Sequence, residues 1–562
     1  MKNLLVAQIL YKIADLLELQ EQGSPFIPRA FRRAAATIEA LQEPIEEIAK
    51  KNKLREIPGV GEGIAKKIIE IINTGSCKEY ESLKKSTPMD YEELMKVQGL
   101  GPKKIKQLYQ TLHIKNLKDL ESAIKQGKIS GLEHFGEKTQ ENLKQSLSFA
   151  KSPTRFLLSE AYPAAQEFKK YMQKKAQQVE IAGSLRRCKE SVGDVDILAA
   201  GNKELADYFT KYKDVKKVLA KGETRSSVIL NNGLQIDLRI IPKESWGAAL
   251  NYFTGSKEHN IALRQIAIKH NRKLNEYGLF QGEEQIAGKT EEELYKKLGL
   301  KYIEPELREN LGEIESSNNN SLPSLIQLKD IKADFHIHTK YSDGSSTIQE
   351  IANECIKLGY KQIAITDHYG NLPIANPMNK KTIQKQWKEI ELINKSSKIK
   401  ILKGAEINIK LDGSLDIESE ILKELDIVVA SIHSGLNNNP TERIIKAMEN
   451  KYVNIIGHPS GRLINKREAS QLNYESIFDK AKSSSTILEI NCSPERLDLE
   501  SQQVKHAIEN SCLISINTDS HSINSLNNMI FGVGVARRGW CTKNKVINTF
   551  SFEKLEKNLN KK

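Results

Sequence analysis

The chain has 562 residues, too many for one hydrophobic core, and this length indicates about three or four domains. Its formal net charge of +13 favours a polyanionic partner. The six cysteines contain no C-x-x-C pair, which argues against a disulfide framework and against a thiolate zinc site, and favours a reducing, cytoplasmic setting. The sequence has no apolar run of about eighteen residues, so we expect no membrane-spanning segment.

The chain begins with MKNLLVAQILYKIADLLEL, in which Lys12, Asp15 and Glu18 interrupt the apolar residues. Their spacing leaves one apolar face of a helix, and it predicts an amphipathic helix and not a signal peptide.

Glycine turns follow in this N-terminal part. Gly59 and Gly61 lie in LREIPGVGEGIAKKIIEII, Gly99 and Gly101 lie in VQGLGPKKIKQLY, and a looser copy is ISGLEHFGEKTQENL. Glycine lets the backbone approach a phosphate, and the N–H groups at the start of the next helix can bind it. A single turn of this kind can also simply connect two packed helices. The repeated pattern resembles helix-hairpin-helix motifs, and the resemblance implies a grip on duplex DNA through its phosphates.

Three aspartates stand in strand-like sequence in the second part of the chain. Asp194 and Asp196 alternate with apolar residues in IAGSLRRCKESVGDVDIL, so both carboxylates should leave the same face of a strand. Asp237 lies in LQIDLRII, where a charge is costly unless a cation neutralises it. A surface-facing strand would explain one such aspartate. Three near a Gly-Ser turn suggest a pair of divalent ions that activates an attacking oxygen.

The Gly-Ser turn, GDVD and NYFTGSKEHN together resemble the family X DNA polymerases, which include DNA polymerase beta. The resemblance implies that Asp194 and Asp196 bind two Mg²⁺ or Mn²⁺ ions, and that Asp237 binds the catalytic ion and helps to deprotonate the primer 3'-hydroxyl. It also implies that Arg264 contacts the template strand. The residues implied to bind the nucleotide are Gly183, Ser184, Arg187, Gly193, Tyr252, Phe253, Gly255 and Asn260.

This chain departs from the family pattern at Gln235, where the family has an arginine two residues before its third aspartate. The departure puts in question how the acidity of the Asp237 carboxylate is adjusted, but not the expectation that Asp237 binds a metal ion. A nucleotidyltransferase that is not a polymerase remains an alternative, since the Gly-Ser turn and the D-x-D pair serve that wider class. The YFTGS segment and the glycine hairpins favour the polymerase.

Lys67 stands where the family keeps the lysine that removes 5'-deoxyribose phosphate through a Schiff base. Gly63 replaces a second lysine of that pocket. A lysine at this position would equally serve as a plain phosphate contact.

Beyond the Ser- and Asn-rich stretch GEIESSNNNSLPSLIQLKD, seven apolar runs alternate with helical stretches. They are ADFHIH, QIAITDH, ILKGAEI, DIVVASIH, VNIIGH, ILEIN and LISINTDSH. Strand then helix, repeated, predicts parallel strands in a barrel or a doubly wound sheet. Six of the seven runs end near a side chain that can bind a metal, and only the run ending at Asn491 adds none. In a β/α barrel these ends meet at one mouth.

This part resembles the polymerase and histidinol phosphatase (PHP) domain, a distorted seven-stranded β/α barrel with a three-metal site. The resemblance implies up to three Mn²⁺, Zn²⁺ or Fe ions, with Glu406 bridging two of them and a hydroxide that hydrolyses phosphate esters. All nine ligand positions are filled: His336, His338, Asp343, His368, Glu406, His433, His458, Asp519 and His521.

We therefore predict a multidomain protein with an α-helical helix-hairpin-helix domain (1–85), an α/β nucleotidyltransferase polymerase core (86–312), a linker (313–330) and a distorted (β/α)7 barrel (331–562). The resemblance implies a bacterial, cytoplasmic, nucleoid-associated monomer that fills short gaps in DNA repair from deoxynucleoside triphosphates on gapped or primed duplex DNA. The barrel would act as a 3'-5' exonuclease, and in some relatives it cleaves at abasic sites. Two alternatives are a barrel without catalysis that positions DNA, and a small-molecule phosphatase.

Overall fold

The computed structural model describes residues 2–20, 24, 26–39, 41, 45–97, 100–133, 135–151, 155–372 and 375–559. The chain divides into two compact units, one of residues 1–153 with 465–467 and one of residues 154–464 with 468–562. No helix among the described residues is long and apolar enough to cross a membrane.

The first unit is helical throughout its described part. Val6, Leu10, Ile13 and Leu17 of its first helix are buried at helical spacing, which confirms the amphipathic helix predicted there. Its helices are α1 (Asn3–Gln20), α2 (Phe26–Glu39), α3 (Ile45–Lys50), α4 (Glu62–Thr74), α5 (Lys78–Ser86), α6 (Tyr91–Leu94), α7 (Pro102–Leu112), α8 (Leu117–Lys125) and α9 (Glu137–Lys151).

The second unit begins with a mixed five-stranded sheet in the order β2-β4-β7-β6-β5, in which only β4 and β7 run parallel. Val195, Ile197, Ile236 and Leu238 are buried on the apolar face of its two central strands. The elements are β1 (Phe156–Leu157), α10 (Leu158–Met172), β2 (Gln178–Ile181), α11 (Gly183–Arg186), β3 (Ser191–Val192), β4 (Asp194–Ala200), α12 (Glu204–Thr210), β5 (Val215–Lys221), β6 (Arg225–Leu230) and β7 (Gln235–Ile241).

A smaller α/β region follows, with a three-stranded antiparallel sheet. Its elements are α13 (Trp246–Thr254), α14 (Lys257–Lys269), β8 (Lys273–Asn275), β9 (Gly278–Gln281), β10 (Glu284–Ala287), α15 (Glu291–Lys297) and α16 (Glu313–Asn318). The stretch predicted as a linker is folded within this unit: it contains α16, buries Glu313 against His259, and buries Ile326 in the core. The domain boundaries themselves remain predictions.

The last part of the second unit is a barrel of parallel strands in the order β11-β12-β14-β15-β16-β17-β18, with β13 beside β14. A parallel bridge between Ile337 and Ser520 joins the two ends of this order. All seven predicted runs form strands, and the predicted barrel is confirmed. Its elements are β11 (Ala333–Asp334), α17 (Ile348–Lys357), β12 (Gln362–Ile365), β13 (His368–Tyr369), α18 (Lys380–Asn394), β14 (Lys400–Asn408), α19 (Ser419–Leu422), β15 (Ile427–Ser431), α20 (Pro440–Met448), β16 (Ile455–Ile456), α21 (Tyr474–Ser484), β17 (Ile487–Asn491), α22 (Ser501–Glu509), β18 (Ile514–Asn517), α23 (Met529–Arg538) and α24 (Phe552–Leu559).

Candidate functional sites

The three aspartates of the mixed sheet lie side by side. Parallel pairing of β4 with β7 sets Asp196 opposite Asp237 and Asp194 opposite Gln235, so all three carboxylates share one face. Burial and the negative charges of Asp194 and Asp237 raise the pKa of Asp196 to about 7. Burial and Asp237 also raise the pKa of Asp194. Carboxylates forced together in this way fit divalent cations, whose charge would remove the repulsion.

Gly183 packs directly against this aspartate cluster. Its φ of +61° lies in the left-handed region, and a Cβ atom placed there would lie 2.3 Å from Oδ2 of Asp196. The following Ser184 begins the short helix α11 with it. Glycine is therefore required here both by the backbone conformation and by the carboxylate.

Two polar side chains, Gln235 and Arg225, contact the carboxylate of Asp237. Nε2 of Gln235 donates a hydrogen bond to Oδ1 of Asp237 over 2.9 Å. Nη2 of Arg225, from the neighbouring strand β6, lies 3.5 Å from Oδ2. A guanidinium group thus faces this carboxylate from another strand. Arg225 was not predicted from the sequence, because its proximity depends on the register between β6 and β7.

The residues predicted to bind the nucleotide surround the end of α13 and the turn after α11. Tyr252 and Phe253 pack edge to face with ring centroids 5.1 Å apart, and Arg239 lies over the Phe253 ring. Asn260 donates to the carbonyl of Tyr252 over 2.7 Å. Arg264 follows one turn later on α14, and its Nε donates to the carbonyl of Asn260 over 3.3 Å.

Arg187 contacts the segment that contains Gly255. Its guanidinium donates to the carbonyl of Thr254, and its Nη1 would lie 3.1 Å from a Cβ atom on Gly255, whose φ is +71°. Gly193 precedes Asp194 at the start of β4, and a Cβ atom there would meet nothing closer than Nη1 of Arg155, at 3.8 Å. The predicted residues of this site, with Asp194, Asp196 and Asp237, all belong to the second unit.

A buried ion network behind this site was not predicted from the sequence. Glu291 accepts hydrogen bonds from Arg186 at 2.6 Å and from Arg308 at 2.6 Å, and Arg186 also donates to Oγ1 of Thr254. Arg308 is fully buried. Burial by itself raises the pKa of Glu291, but Arg308 and Arg186 outweigh it and lower the pKa to about 2. The network contacts the segment that carries Gly255 through the side chain of Thr254. Its members are scattered charges in the sequence, with no shared spacing that could have marked them.

In the first unit, Gly61 and Gly101 directly precede α4 and α7. Neither has a positive φ, and a Cβ atom on either would meet nothing within 4 Å. Packing within the chain therefore does not require glycine there, whereas close approach of a DNA backbone would. Gly59 does need glycine, since its φ is +87° and Arg33 and Ala34 crowd it. Gly99 lies outside the described residues.

Lys67 lies on α4, and its Nζ forms an ion pair with Glu79 at 2.6 Å. The amine also lies over the ring of Phe31, 5.8 Å from its centroid. An amine that attacks a sugar aldehyde must first leave this ion pair.

All nine predicted ligands of the barrel converge at one mouth. Three groups of them place ligand atoms within 4.8 Å of one another. The groups are His338, Asp343, His368 and His521; His336, His338 and Asp519; and His368, Glu406 and His433. His458 joins them through Nε2, which lies 3.0 Å from Glu406. The predicted convergence is thus present in the structure.

Glu406 lies at the centre of this cluster and is buried. Its Oε2 faces His336 at 3.3 Å, His338 at 3.5 Å and His368 at 3.0 Å. Its Oε1 faces His433 at 3.1 Å and His458 at 3.0 Å. The two oxygens of Glu406 thus face two different sets of imidazoles.

The donor atoms of this cluster fit metal ions. Among the described residues, buried nitrogens without a hydrogen-bond partner include Nε2 of His336, both ring nitrogens of His338, and Nδ1 of His433 and His458. Such atoms are costly to bury unless something binds them. Burial, reinforced by His521 and His368, lowers the pKa of His338 to about 3, which keeps its ring neutral as a ligand.

Glu489 on β17 supports the cluster and was missed by the sequence analysis. It is buried and lies 2.8 Å from Nδ1 of His336, and it accepts a hydrogen bond from the backbone N–H of His458 over 2.7 Å. Asn491 on the same strand donates to Asp519 over 3.0 Å. The available signal was a glutamate inside the apolar run ILEIN.

Four family models match the chain: a helix-hairpin-helix domain (residues 1–77), a SAM-like helix-hairpin-helix tandem (91–148), the DNA polymerase beta thumb (249–309) and the PHP domain (334–493). A protein of Bacillus subtilis (strain 168) named DNA polymerase/3'-5' exonuclease PolX is 37% identical over 98% of this chain and 98% of its own. The chain belongs to the PolX family. These are the bacterial family X DNA polymerases with a C-terminal PHP domain, as the sequence predicted.

The barrel alone also has shorter relatives. A probable phosphatase of Thermoanaerobacter sp. (strain X514) is 31% identical over 38% of this chain and 89% of its own length. A probable phosphatase of Syntrophotalea carbinolica is 31% identical over 28% of this chain and 65% of its own length. The barrel of this chain is therefore similar to proteins named as probable phosphatases.

Proposed function

We propose that this chain is a template-directed DNA polymerase that also carries a metal-dependent 3'-5' exonuclease in its barrel. The observation that carries the proposal is the presence in one chain of three adjoining aspartates on β4 and β7 and of nine side chains at the barrel mouth that can bind metal ions. The similarity to the Bacillus subtilis protein extends over both.

In the polymerase site, Asp194 and Asp196 would hold two Mg²⁺ or Mn²⁺ ions, and Asp237 would hold the catalytic one. Such ions lower the pKa of a bound hydroxyl and neutralise charge on the transferred phosphate. The chain's own part is positioning. Asp237 would accept the proton of the primer 3'-hydroxyl. Gln235 and Arg225 contact the Asp237 carboxylate and would orient it.

The nucleotide would lie between α11 and the end of α13. Ser184, Arg187 and the N–H groups near Gly183 and Gly193 would bind the triphosphate. Tyr252 and Phe253 would pack on the sugar, and Asn260 would contact the base in the minor groove. The buried Arg186–Glu291–Arg308 network supports this arrangement, because it holds Thr254 and the backbone beside Gly255.

In the barrel, the nine ligands would hold up to three ions of Mn²⁺, Zn²⁺ or Fe, which supply a hydroxide near neutral pH. Glu489 would fix the ring of His336 and its tautomer, as carboxylates behind metal-bound histidines do. A DNA 3' end would be the substrate. We expect exonuclease activity and not small-molecule phosphatase activity. The reason is that the similarity to the Bacillus subtilis DNA polymerase/3'-5' exonuclease covers both the polymerase part and the barrel of this chain.

The glycine hairpins of the first unit would hold gapped or primed duplex DNA by its phosphates, and Arg264 would contact the template strand. Contacts to phosphate carry no sequence information, so gap filling should be insensitive to sequence, and binding should weaken steeply with salt. We also propose a monomer that acts in the cytoplasm at the nucleoid.

The test is to incubate the purified protein with a gapped duplex labelled at the primer 5' end, with and without deoxynucleoside triphosphates, in magnesium and in manganese. We expect templated extension with nucleotides and stepwise shortening from the 3' end without them. Histidinol phosphate serves as the control substrate. Its hydrolysis without any shortening of DNA would contradict the exonuclease, and untemplated addition would contradict the polymerase.

A further inference from the structure

Arg538, in the last turn of α23, contacts the polymerase core. Its Nη1 donates to Oε1 of Glu309 over 2.9 Å and to the backbone carbonyl of Arg187 over 2.8 Å. Nε of Arg187 donates to the same Glu309 oxygen over 2.9 Å. The side chains of Arg538 and Arg187 are only 8% and 11% exposed. One carboxylate oxygen therefore joins an arginine of the barrel region to an arginine of the proposed triphosphate site.

The shape of α23 brings Arg538 to this position. Gly534 precedes Arg538 by one helical turn and lies on the same face. A Cβ atom on Gly534 would lie 3.1 Å from Cβ of Cys188, so the helix backbone lies against the residue that follows Arg187. One turn earlier, Phe531 packs edge to face with Tyr162, with centroids 6.2 Å apart. Three contacts on one helix face thus fix where Arg538 lies.

The charges around Glu309 favour a bound polyanion. Besides Arg187 and Arg538, Nζ of Lys189 lies 3.4 Å from Glu309, so three cations face one carboxylate. Without Arg538, Glu309 would bind Arg187 more strongly, and Arg187 would be less available to an incoming triphosphate. The backbone carbonyl of Arg187 would also lose the hydrogen bond from Arg538. Both changes would weaken triphosphate binding at Arg187.

We infer that Arg538, a residue of the barrel region beyond the matched PHP segment, is a positioning residue for the nucleotide in the polymerase site and acts through Glu309 and Arg187. The inference rests on the proposed function in which Arg187 contacts the triphosphate. It assigns to the nuclease part of the chain a role in nucleotide binding by the polymerase part.

The experiment compares full-length wild type with Arg538→Gln in steady-state insertion of one nucleotide into a gapped duplex. We expect the KM for the nucleotide to rise about tenfold and kcat to change by less than about twofold, since uniform binding is lost and chemistry is not. Exonuclease activity should stay within about twofold of wild type. Arg538→Lys keeps the charge but not the planar guanidinium, and its KM for the nucleotide should lie between those of wild type and Arg538→Gln.

Arg537→Gln is the matched control. Arg537 neighbours Arg538 on α23, but it donates to Glu306 over 2.7 Å and to the carbonyl of Ile326 over 3.0 Å and does not touch Arg187. Replacing Arg537 removes contacts of the same helix but leaves the hydrogen bond between Arg538 and Glu309 in place. An equal rise of KM in Arg537→Gln, or an unchanged KM in Arg538→Gln, would overturn the inference.

Glu309→Gln keeps the test independent of the stability of any one variant. If Arg538 acts through Glu309, the double variant Arg538→Gln, Glu309→Gln should raise KM no more than the stronger single variant. Fully additive effects would overturn the inference. Wild type that inserts no nucleotide would contradict the proposed function instead, so the two failures are distinguishable.

Discussion

The backbone of Gly183 lies directly against the aspartate cluster. Replacing it with alanine would place a Cβ atom 2.3 Å from Oδ2 of Asp196, and the carboxylate must move. A shift of about 1 Å in a catalytic group costs on the order of 100-fold, so we expect nucleotide addition by Gly183→Ala to fall by at least that factor. The measurement is single-turnover insertion, with the exonuclease unchanged.

Gly282→Ala is the control for backbone strain alone. Its φ of +64° matches the +61° of Gly183, but a Cβ atom there would meet nothing within 4 Å. We expect Gly282→Ala to retain nucleotide addition. Equal losses in both variants would show that strain, and not the Asp196 contact, is responsible.

Lys67 tests whether the chain removes 5'-deoxyribose phosphate. If its amine forms the Schiff base, borohydride should crosslink the protein to an incised abasic site, and Lys67→Ala should crosslink at least about tenfold less. Lys66→Ala is the matched control, because Lys66 directly precedes Lys67 on α4 and pairs with Glu62 instead. Equal crosslinking by Lys67→Ala and wild type would rule out this assignment.

Single residues also show how far the sequence could be used. Alternation in GDVD was enough to place Asp194 and Asp196 on one face, because a strand repeats every two residues. The substitution at Gln235 was visible, but the guanidinium of Arg225 beside Asp237 was not. That contact comes from the register of two strands, which no local pattern encodes.

At the level of elements, strands β4 and β7 hold the carboxylates that determine how the polymerase site responds to pH. Burial and the negative charges of Asp194 and Asp237 raise the pKa of Asp196 to about 7, so a metal ion must compete with a proton for this carboxylate. We expect the apparent affinity for Mn²⁺ at this site to increase by up to about tenfold per pH unit below pH 7 and to level off above it. Calorimetric titration of His336→Ala protein, which weakens the barrel centre, should show this. In an added Asp196→Asn background the part of the pH dependence that comes from Asp196 should be lost.

Strand β17 contributes a residue behind the ligands. Glu489→Gln removes the carboxylate that contacts His336, and such partners of metal-bound histidines contribute about 10- to 100-fold to metal affinity or activity. We expect exonuclease activity and metal content of the barrel to fall by that range while nucleotide addition is retained. Glu391→Gln, at an exposed ion pair with Lys403, is the control and should behave as wild type. Full activity of Glu489→Gln would show that Glu489 is not needed.

The elements were the part of the fold best predicted from sequence. The seven continuous apolar runs separated by helical stretches are the seven strands of the barrel. They could be found in the sequence because a parallel strand that is buried on both faces is apolar along its whole length. The stretch 313–330 was predicted as a linker on its Ser and Asn content, yet Glu313 and Ile326 in it are buried. Its contacts come from His259 and the core, far away in the sequence, and composition cannot show them.

For the whole molecule, we predict that the two chemistries can be separated by mutation. Asp194→Ala or Asp237→Ala should abolish nucleotide addition and leave exonuclease activity in manganese, because each removes a carboxylate of one site only. His336→Ala or His433→Ala should do the reverse. Both activities are measured on the same four proteins, with folding checked by circular dichroism. Loss of the exonuclease in Asp237→Ala, or its persistence in His336→Ala, would show that hydrolysis does not belong to the barrel.

The bridge between Ile337 and Ser520 has a consequence for how the protein is made. It brings His336 and His338, at the start of the barrel, beside Asp519 and His521, at its end. During translation the first two histidines leave the ribosome long before the last two ligands have been synthesised. The barrel centre is therefore completed only after His521 has emerged, whereas the aspartate cluster on β4 and β7 can be assembled much earlier. A nascent chain stalled between residues 330 and 515 would carry the three aspartates of the polymerase site and an incomplete nuclease centre.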